Sequence, residues 1–187
     1  MEQAIFGPPG TGKTMLARAL RALLPPLSRA EALAVTAIHS LTSGEALITT
    51  RPPFRAPHHT ASHTSLVGGG THPKPGEVTL AHHGVLFMDE FPEFERRSID
   101  ALRQPLEDRV VTISRVQGTS EFPADFILVA ALNPYRGSED GTENLARAMV
   151  DTYKNKVSGP IIDRIDLWLE VPHVPYETLT SLPSKTD

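Results

Sequence analysis

The chain has no cysteine, and this absence removes disulfides, thiolate metal sites and cysteine nucleophiles together. It also lacks an excess of positive charge: 18 Lys and Arg face 22 Asp and Glu, giving a net charge of −4 and a pI near 6.1. A broadly basic nucleic-acid coat is therefore excluded, because non-specific phosphate binding needs positive charge massed on one face. A few cations lining a pore are not excluded. No apolar run approaches the ~18 residues of a membrane helix. The start MEQAIFGPPG lacks the basic-then-apolar order of a signal peptide. Internal repeats and low-complexity tracts are missing as well. Together these absences predict a soluble cytoplasmic protein with no membrane partner.

What remains is ordinary globular material, with 40% apolar and 21% charged residues in 187 positions. That length allows one domain, or one plus a fragment. The 13 glycines and 17 prolines exceed the usual share, and the excess gathers in Arg51–Gly76 and again from Pro172 onward.

The pattern along the chain alternates. Gln3–Phe6 reads as the end of a strand, and Thr14–Leu24 as a helix with Leu16, Leu20, Leu23 and Leu24 at helical spacing. Pro25–Pro26 stops that helix. Ser28 and Glu31 form a capping box for a second helix to about Leu41, with Leu33, Ala37 and Leu41 on one face. A short helix near Thr60–Val67 interrupts the Pro/Gly-rich stretch. Val85–Met88 and Phe126–Leu132 are continuous apolar runs, as in buried strands. Ser98–Glu107 is helical, with Pro105 kinking or ending it. Val110–Val116 alternates like a strand, Thr142–Lys156 like a helix, and Asp166–Val171 closes the pattern as a strand. Helices alternating with buried strands predict a three-layer α/β fold on a parallel or mostly parallel sheet.

Gly7-Pro8-Pro9-Gly10-Thr11-Gly12-Lys13-Thr14 fits the phosphate-loop pattern G-x-x-x-x-G-K-[ST], with a strand before it and an amphipathic helix after it. The glycines let the backbone curl its N–H groups toward phosphates, and the next helix adds partial positive charge. Lys13 then reaches the β- and γ-phosphates of ATP, and the Thr14 hydroxyl binds Mg²⁺. Asp89 and Glu90 follow a buried strand, where ligand sites of such sheets lie. Asp89 is expected in the Mg²⁺ shell and Glu90 as the general base that polarises the attacking water. Asn133, at the tip of the neighbouring strand, could hold that water against the γ-phosphate; a strand-ending Asn-Pro turn is the plain alternative. Arg164, between Asp163 and Asp166, reads alone as a surface ion pair. Six histidines, His58, His59, His63, His72, His82 and His83, come without an acid or thiol cluster and read as loop packing and hydrogen bonding beside the nucleotide layer.

The segments FRAPHHTASHTSLVGGGTHPKPGEVTLAHHGVLFMDEFPEF, VTISRVQGTSEFPADFILVAALNP and SGPIIDRIDLWLEVP resemble the magnesium-chelatase-like AAA+ proteins of the YifB/ComM type. The likeness spans nearly all of Ile5–Pro172. It implies a P-loop NTPase core of AAA+ type that assembles into rings, typically hexamers, and hydrolyses ATP, and for ComM-type members a motor acting on DNA by branch migration. By position it makes Asn133 the sensor and Arg164 an arginine finger reaching a neighbouring subunit's nucleotide. The loop Gly68–Gly76, with Lys74 its only cation, is expected to face a ring channel. Residues 1–172 would be the ATPase core and residues 173–187 a linker toward a lid domain absent from this chain. Family members usually carry a domain ahead of the core, whereas here the phosphate loop begins at residue 7, and many have a cysteine-rich stretch where Tyr135–Asn144 has no cysteine. Two other readings stay open: a magnesium-chelatase motor subunit, and a fragment that binds nucleotide without turnover.

Overall fold

Val85–Met88 and Ile127–Leu132 are apolar at every position, and strands of that kind are stable only with both faces covered. The computed structural model, which describes residues 2–44, 47–70, 73–115, 118–133 and 159–173, meets that requirement. Its strands in chain order are β1 (Glu2–Phe6), β2 (Phe54–Arg55), β3 (Gly68–Gly69), β4 (Lys74–Pro75), β5 (Val85–Met88), β6 (Val110–Arg115), β7 (Gly118–Pro123), β8 (Ile127–Leu132) and β9 (Ile165–Glu170). Its helices are α1 (Lys13–Leu23), α2 (Arg29–Ser43), α3 (His63–Val67), α4 (Glu77–Leu80), α5 (Arg96–Asp100), α6 (Arg103–Asp108) and α7 (Gly159–Ile162).

Five strands form one parallel sheet in the order β2-β5-β8-β1-β9. Ile5, Val85, Phe87, Val129 and Ala131 line one face, where Ala17 lets α1 approach closely. Ala4, Phe6, Leu86, Met88, Leu128, Ala130 and Leu132 line the other and join Leu66, Val78, Phe91 and Ile99. Burying each large side chain in these layers contributes roughly 1.5–3 kcal/mol. The register aligns Phe6 with Leu132 and Met88 with Ala130, so the carboxyl ends of β1, β8 and β5 lie side by side.

Several expectations change in detail. The Ser28–Glu31 capping box is present, Ser28 N–H donating to Glu31 at 2.7 Å and Glu31 N–H to Ser28 Oγ at 3.3 Å. The stripe α2 buries, however, is Ala32, Val35, Thr36 and Ile38, while Leu33 and Leu41 stay exposed. Ala32 and Val35 of that stripe pack with Leu27, and the helix lies against α4 and β4. The helix expected over Ser98–Glu107 divides into α5 and α6 at Ala101–Leu102. The break falls four residues before Pro105, whose ring clashes with the carbonyl at that distance. The alternating run Val110–Arg115 does not enter the central sheet. It pairs antiparallel with β7 as a separate hairpin, tied to α6 where the Gln104 amide donates to Thr112 Oγ1 at 2.9 Å. The helix expected over Thr142–Lys156 and most of the tail 173–187 lie outside the described residues. Among the described residues no helix is long and apolar enough to cross a membrane.

Candidate functional site

The loop between β1 and α1 curls because two of its glycines, Gly10 and Gly12, take left-handed conformations with φ of 81° and 86°. Gly7 is required for a different reason. A Cβ there would lie 2.2 Å from the carbonyl oxygen of Val171, where the end of β9 crosses the loop. Gly12 caps α1 without a side-chain hydrogen bond, and no acidic residue sits in the first turn. The first N–H groups of α1 are thus left to an anion. Lys13 is buried, and its Nζ donates to the carbonyls of Gly7 and Pro8 at 2.8 Å each. Burial lowers its pKa below the ordinary lysine value, and the nearby Asp89 carboxylate partly opposes this. The ammonium occupies the hollow of its own loop.

Directly opposite, β5 ends at Met88 and delivers Asp89 and Glu90. The Thr14 hydroxyl donates to Asp89 Oδ2 at 3.0 Å, bridging the two segments across 75 positions of sequence. Asp89 Oδ1 accepts the Glu90 N–H at 3.0 Å, and Glu90 adopts a left-handed conformation with φ of 51°. A hydroxyl and a carboxylate side by side are hard oxygen donors of the kind Mg²⁺ takes with phosphate oxygens and water. The residues present therefore fit that ion. A cleft of about 390 Å³ opens here, lined by Thr14, Phe87, Asp89, Glu90 and the segment Ala56–His59.

Asn133 follows β8, the strand between β1 and β5, so it emerges between the phosphate loop and the acidic pair. Arg164 does not join this group. It precedes β9, whose first residue Ile165 aligns with Glu2, so it lies at the amino ends of the strands. The length of β1 puts it roughly 16 Å from its own phosphate loop along the sheet. There its guanidinium pairs with Glu107 Oε1 at 2.6 Å. A second cleft of about 280 Å³ also sits at that pole, with Glu31, His83, Arg109, Asp125 and Phe126 in its lining. It contains none of the residues assigned to nucleotide or Mg²⁺ in the sequence.

Sequence reasoning missed the role of the chain after β2. Residues 56–59 form one wall of the cleft, and His59 Nδ1 lies 2.9 Å from Glu90 Oε2. β2 is only two residues long inside a Pro-rich stretch, so no periodicity betrays it; the Phe54–Arg55 pair between prolines was the faint signal. Among the described residues no group of three metal-ligating His, Asp or Glu side chains occurs.

Comparison with known proteins gives this geometry a family. The family model described as magnesium chelatase, subunit ChlI, matches residues 2–179. Competence protein ComM of Haemophilus influenzae is 52% identical over 178 residues, which cover 93% of this chain and 35% of that protein. The protein YifB of Escherichia coli is 51% identical over 175 residues, covering 91% of this chain and 35% of its own. The chain thus spans about a third of the length of these curated relatives. Among solved structures, NtrX from Brucella abortus in complex with ADP is similar at a TM-score of 0.59 and 22% identity. The match covers 90% of this chain and 31% of that one, and it is a likeness of fold. With a parallel three-layer P-loop core and a family match over nearly its whole length, this chain belongs to the magnesium chelatase ChlI family, as a magnesium-chelatase-like AAA+ protein of the YifB/ComM type.

Proposed function

We propose that this chain is the Mg·ATP-binding and hydrolysing core of a ring-forming motor. The observation that carries the reading is the contact of Thr14 with Asp89 at 3.0 Å, which brings the loop hydroxyl and the strand-end acid to one point beside Lys13. The backbone N–H groups of Gly10–Thr14 take the phosphate oxygens, and Lys13 turns from its own carbonyls onto the β- and γ-phosphates. Thr14 and Asp89 would hold the Mg²⁺ shell, which would supply positive charge against the phosphate oxygens. Glu90 accepts a proton as a water oxygen attacks the γ-phosphorus and the bond to the bridging oxygen breaks, releasing ADP. The Asn133 amide orients that water. Arg164 acts from a neighbouring copy, since its place at the opposite pole keeps it from its own nucleotide. The ADP complex of NtrX, of similar fold, supports nucleotide as the ligand.

The likeness to a competence protein favours DNA as the substrate of the motor over insertion of metal into a porphyrin. Stimulation of phosphate release by branched DNA, against stimulation by a porphyrin-chelatase partner, separates the two. For the site itself, Lys13→Ala abolishes binding of a fluorescent ATP analogue. Glu90→Gln keeps that binding and lowers steady-state phosphate release by ~10²–10⁴-fold. Equal loss of binding in both variants contradicts these roles. Undiminished binding without release by the unaltered chain leaves a nucleotide-binding fragment instead.

A further inference from the structure

Arg55, Arg109 and Arg164 each meet a carboxylate at 2.6 Å, on Glu77, Asp125 and Glu107 respectively. Three other arginines gather where α1 passes the chain entering β2, and they are treated differently. Among the described residues no carboxylate pairs with Arg18, Arg21 or Arg51.

The backbone before β2 brings the three together. Arg18 and Arg21 stand on α1 about 4.5 Å apart along its axis. Arg21 Nε donates to the Pro52 carbonyl at 2.7 Å. The exposed Arg18 lies over the Phe54 ring, its guanidinium carbon 5.7 Å from the centroid, in cation–π contact. Arg51, immediately before Pro52, is exposed, and its backbone N–H donates to Thr49 Oγ1 at 3.1 Å. Each guanidinium on α1 is thus anchored by one contact and keeps its other N–H donors for a ligand. Burial lowers the Arg21 pKa and the charge of Arg51 lowers it further, so these two cations repel with nothing between them.

Unopposed positive charge on a chain of net charge −4 marks a place for an anion. None of the three arginines lines either cleft. Their row follows the outside of a helix, which suits a polyanion laid across it better than a small ion held in a pocket. Guanidinium forks match phosphate oxygens two at a time. We infer that Arg18, Arg21 and Arg51 form a contact for the phosphodiester backbone of DNA, separate from the phosphate loop. This rests on the reading of DNA as the motor's substrate and gives that substrate a surface. Contacts to phosphate alone position a duplex without reading its bases, so the row takes any sequence. Three cations on one face also agree with the acidic composition, which excludes only a broad coat.

The test uses the whole chain and a labelled DNA duplex of mixed sequence, at about 50 to 200 mM salt. Arg18→Ala, Arg21→Ala and Arg51→Ala combined weaken duplex binding. They flatten the slope of log affinity against log salt by ~2–3, the share of three phosphates. Arg96→Ala, Arg97→Ala and Arg103→Ala combined, exposed on α5 and α6, remove the same charge elsewhere and leave the slope as it was. Equal flattening in both triple variants overturns the inference, because net charge alone then accounts for it. So does an unchanged affinity in the first variant, or no duplex binding by the unaltered chain. Polyglutamate is the rival polyanion. If it binds the unaltered chain more tightly than the duplex does and loses that binding in the first variant, the row belongs to an acidic protein and the inference falls. Arg51→Ala alone, whose side chain makes no hydrogen bond or ion pair, is expected to flatten the slope by about 1. It decides the matter if the triple variant fails to fold. A fluorescent ATP analogue binds the unaltered chain and the first variant equally, and parallel loss of both ligands overturns the inference. Stimulation of phosphate release by branched DNA judges the motor reading separately. Duplex binding that depends on the row, without such stimulation, keeps the row and removes the motor.

Discussion

His82 and Lys13 carry the same physics to opposite ends of the sheet. His82 is 7% exposed, and its Nδ1 accepts the Asp125 N–H at 3.0 Å, a bond available only to the neutral ring. Burial pushes its pKa down to about 4, the adjacent His83 adds to this, and Asp125 and Glu31 oppose it. In the unfolded chain the ring titrates near 6.5. Between those values the unfolded state binds more protons, so stability falls as pH drops from about 6.5 toward 4. The loss from this one residue is up to about 3 kcal/mol. Urea midpoints at pH 7 and pH 5 are expected to differ accordingly, and His82→Asn to flatten the difference. A pH dependence equally steep in His82→Asn assigns the loss to other groups. At Lys13 burial also disfavours the charge, and the nearby Asp89 carboxylate offsets only part of that penalty.

At the scale of elements, the amino end of β5 is where three strands are fixed together. Val85 N–H donates to the Pro53 carbonyl and Ile127 N–H to the Gly84 carbonyl, each at 2.9 Å. A Cβ on Gly84 would stand 2.1 Å from the Pro53 oxygen, so a side chain there forces β2 away from β5. Gly84→Ala is expected to cost about 3 kcal/mol and to lower the melting temperature by roughly 10 °C. Gly159→Ala, with nothing within 4 Å of its added carbon, serves as the control and melts as the unaltered chain does. Equal melting of the two variants contradicts the close approach. The elements themselves were largely legible. The apolar runs of β5 and β8, the capping box of α2 and the loop before α1 are local patterns that local chemistry enforces. The hairpin of β6 and β7 was half legible, because Gly118–Pro123 is mostly exposed and lacks an apolar alternation to read.

At the scale of the molecule, Arg164 lies at the pole opposite the phosphate loop and pairs with Glu107. If it serves a neighbouring copy, Arg164→Ala binds ATP normally and hydrolyses it ~10³-fold more slowly in an assembled ring. Mixing Arg164→Ala with Glu90→Gln then returns part of the activity, because some interfaces combine an intact Glu90 with an intact Arg164. Sedimentation establishes that the two variants assemble together. No recovery in a proven mixed assembly leaves Arg164 as the ion-pair partner of Glu107.

The sequence by itself determined the alternation of helices and buried strands, the phosphate loop and the strand-end acids, since each depends on residues consecutive in the chain. Only the tertiary structure decided the sheet order, the burial of Ala32 and Val35 in place of Leu33, and the pole at which Arg164 emerges. It alone put His59 beside Glu90 and Arg55 on Glu77. These are contacts between segments 22 or more positions apart, set by strand register and by which helix face meets a neighbour, and neither leaves a periodic mark on the residues involved.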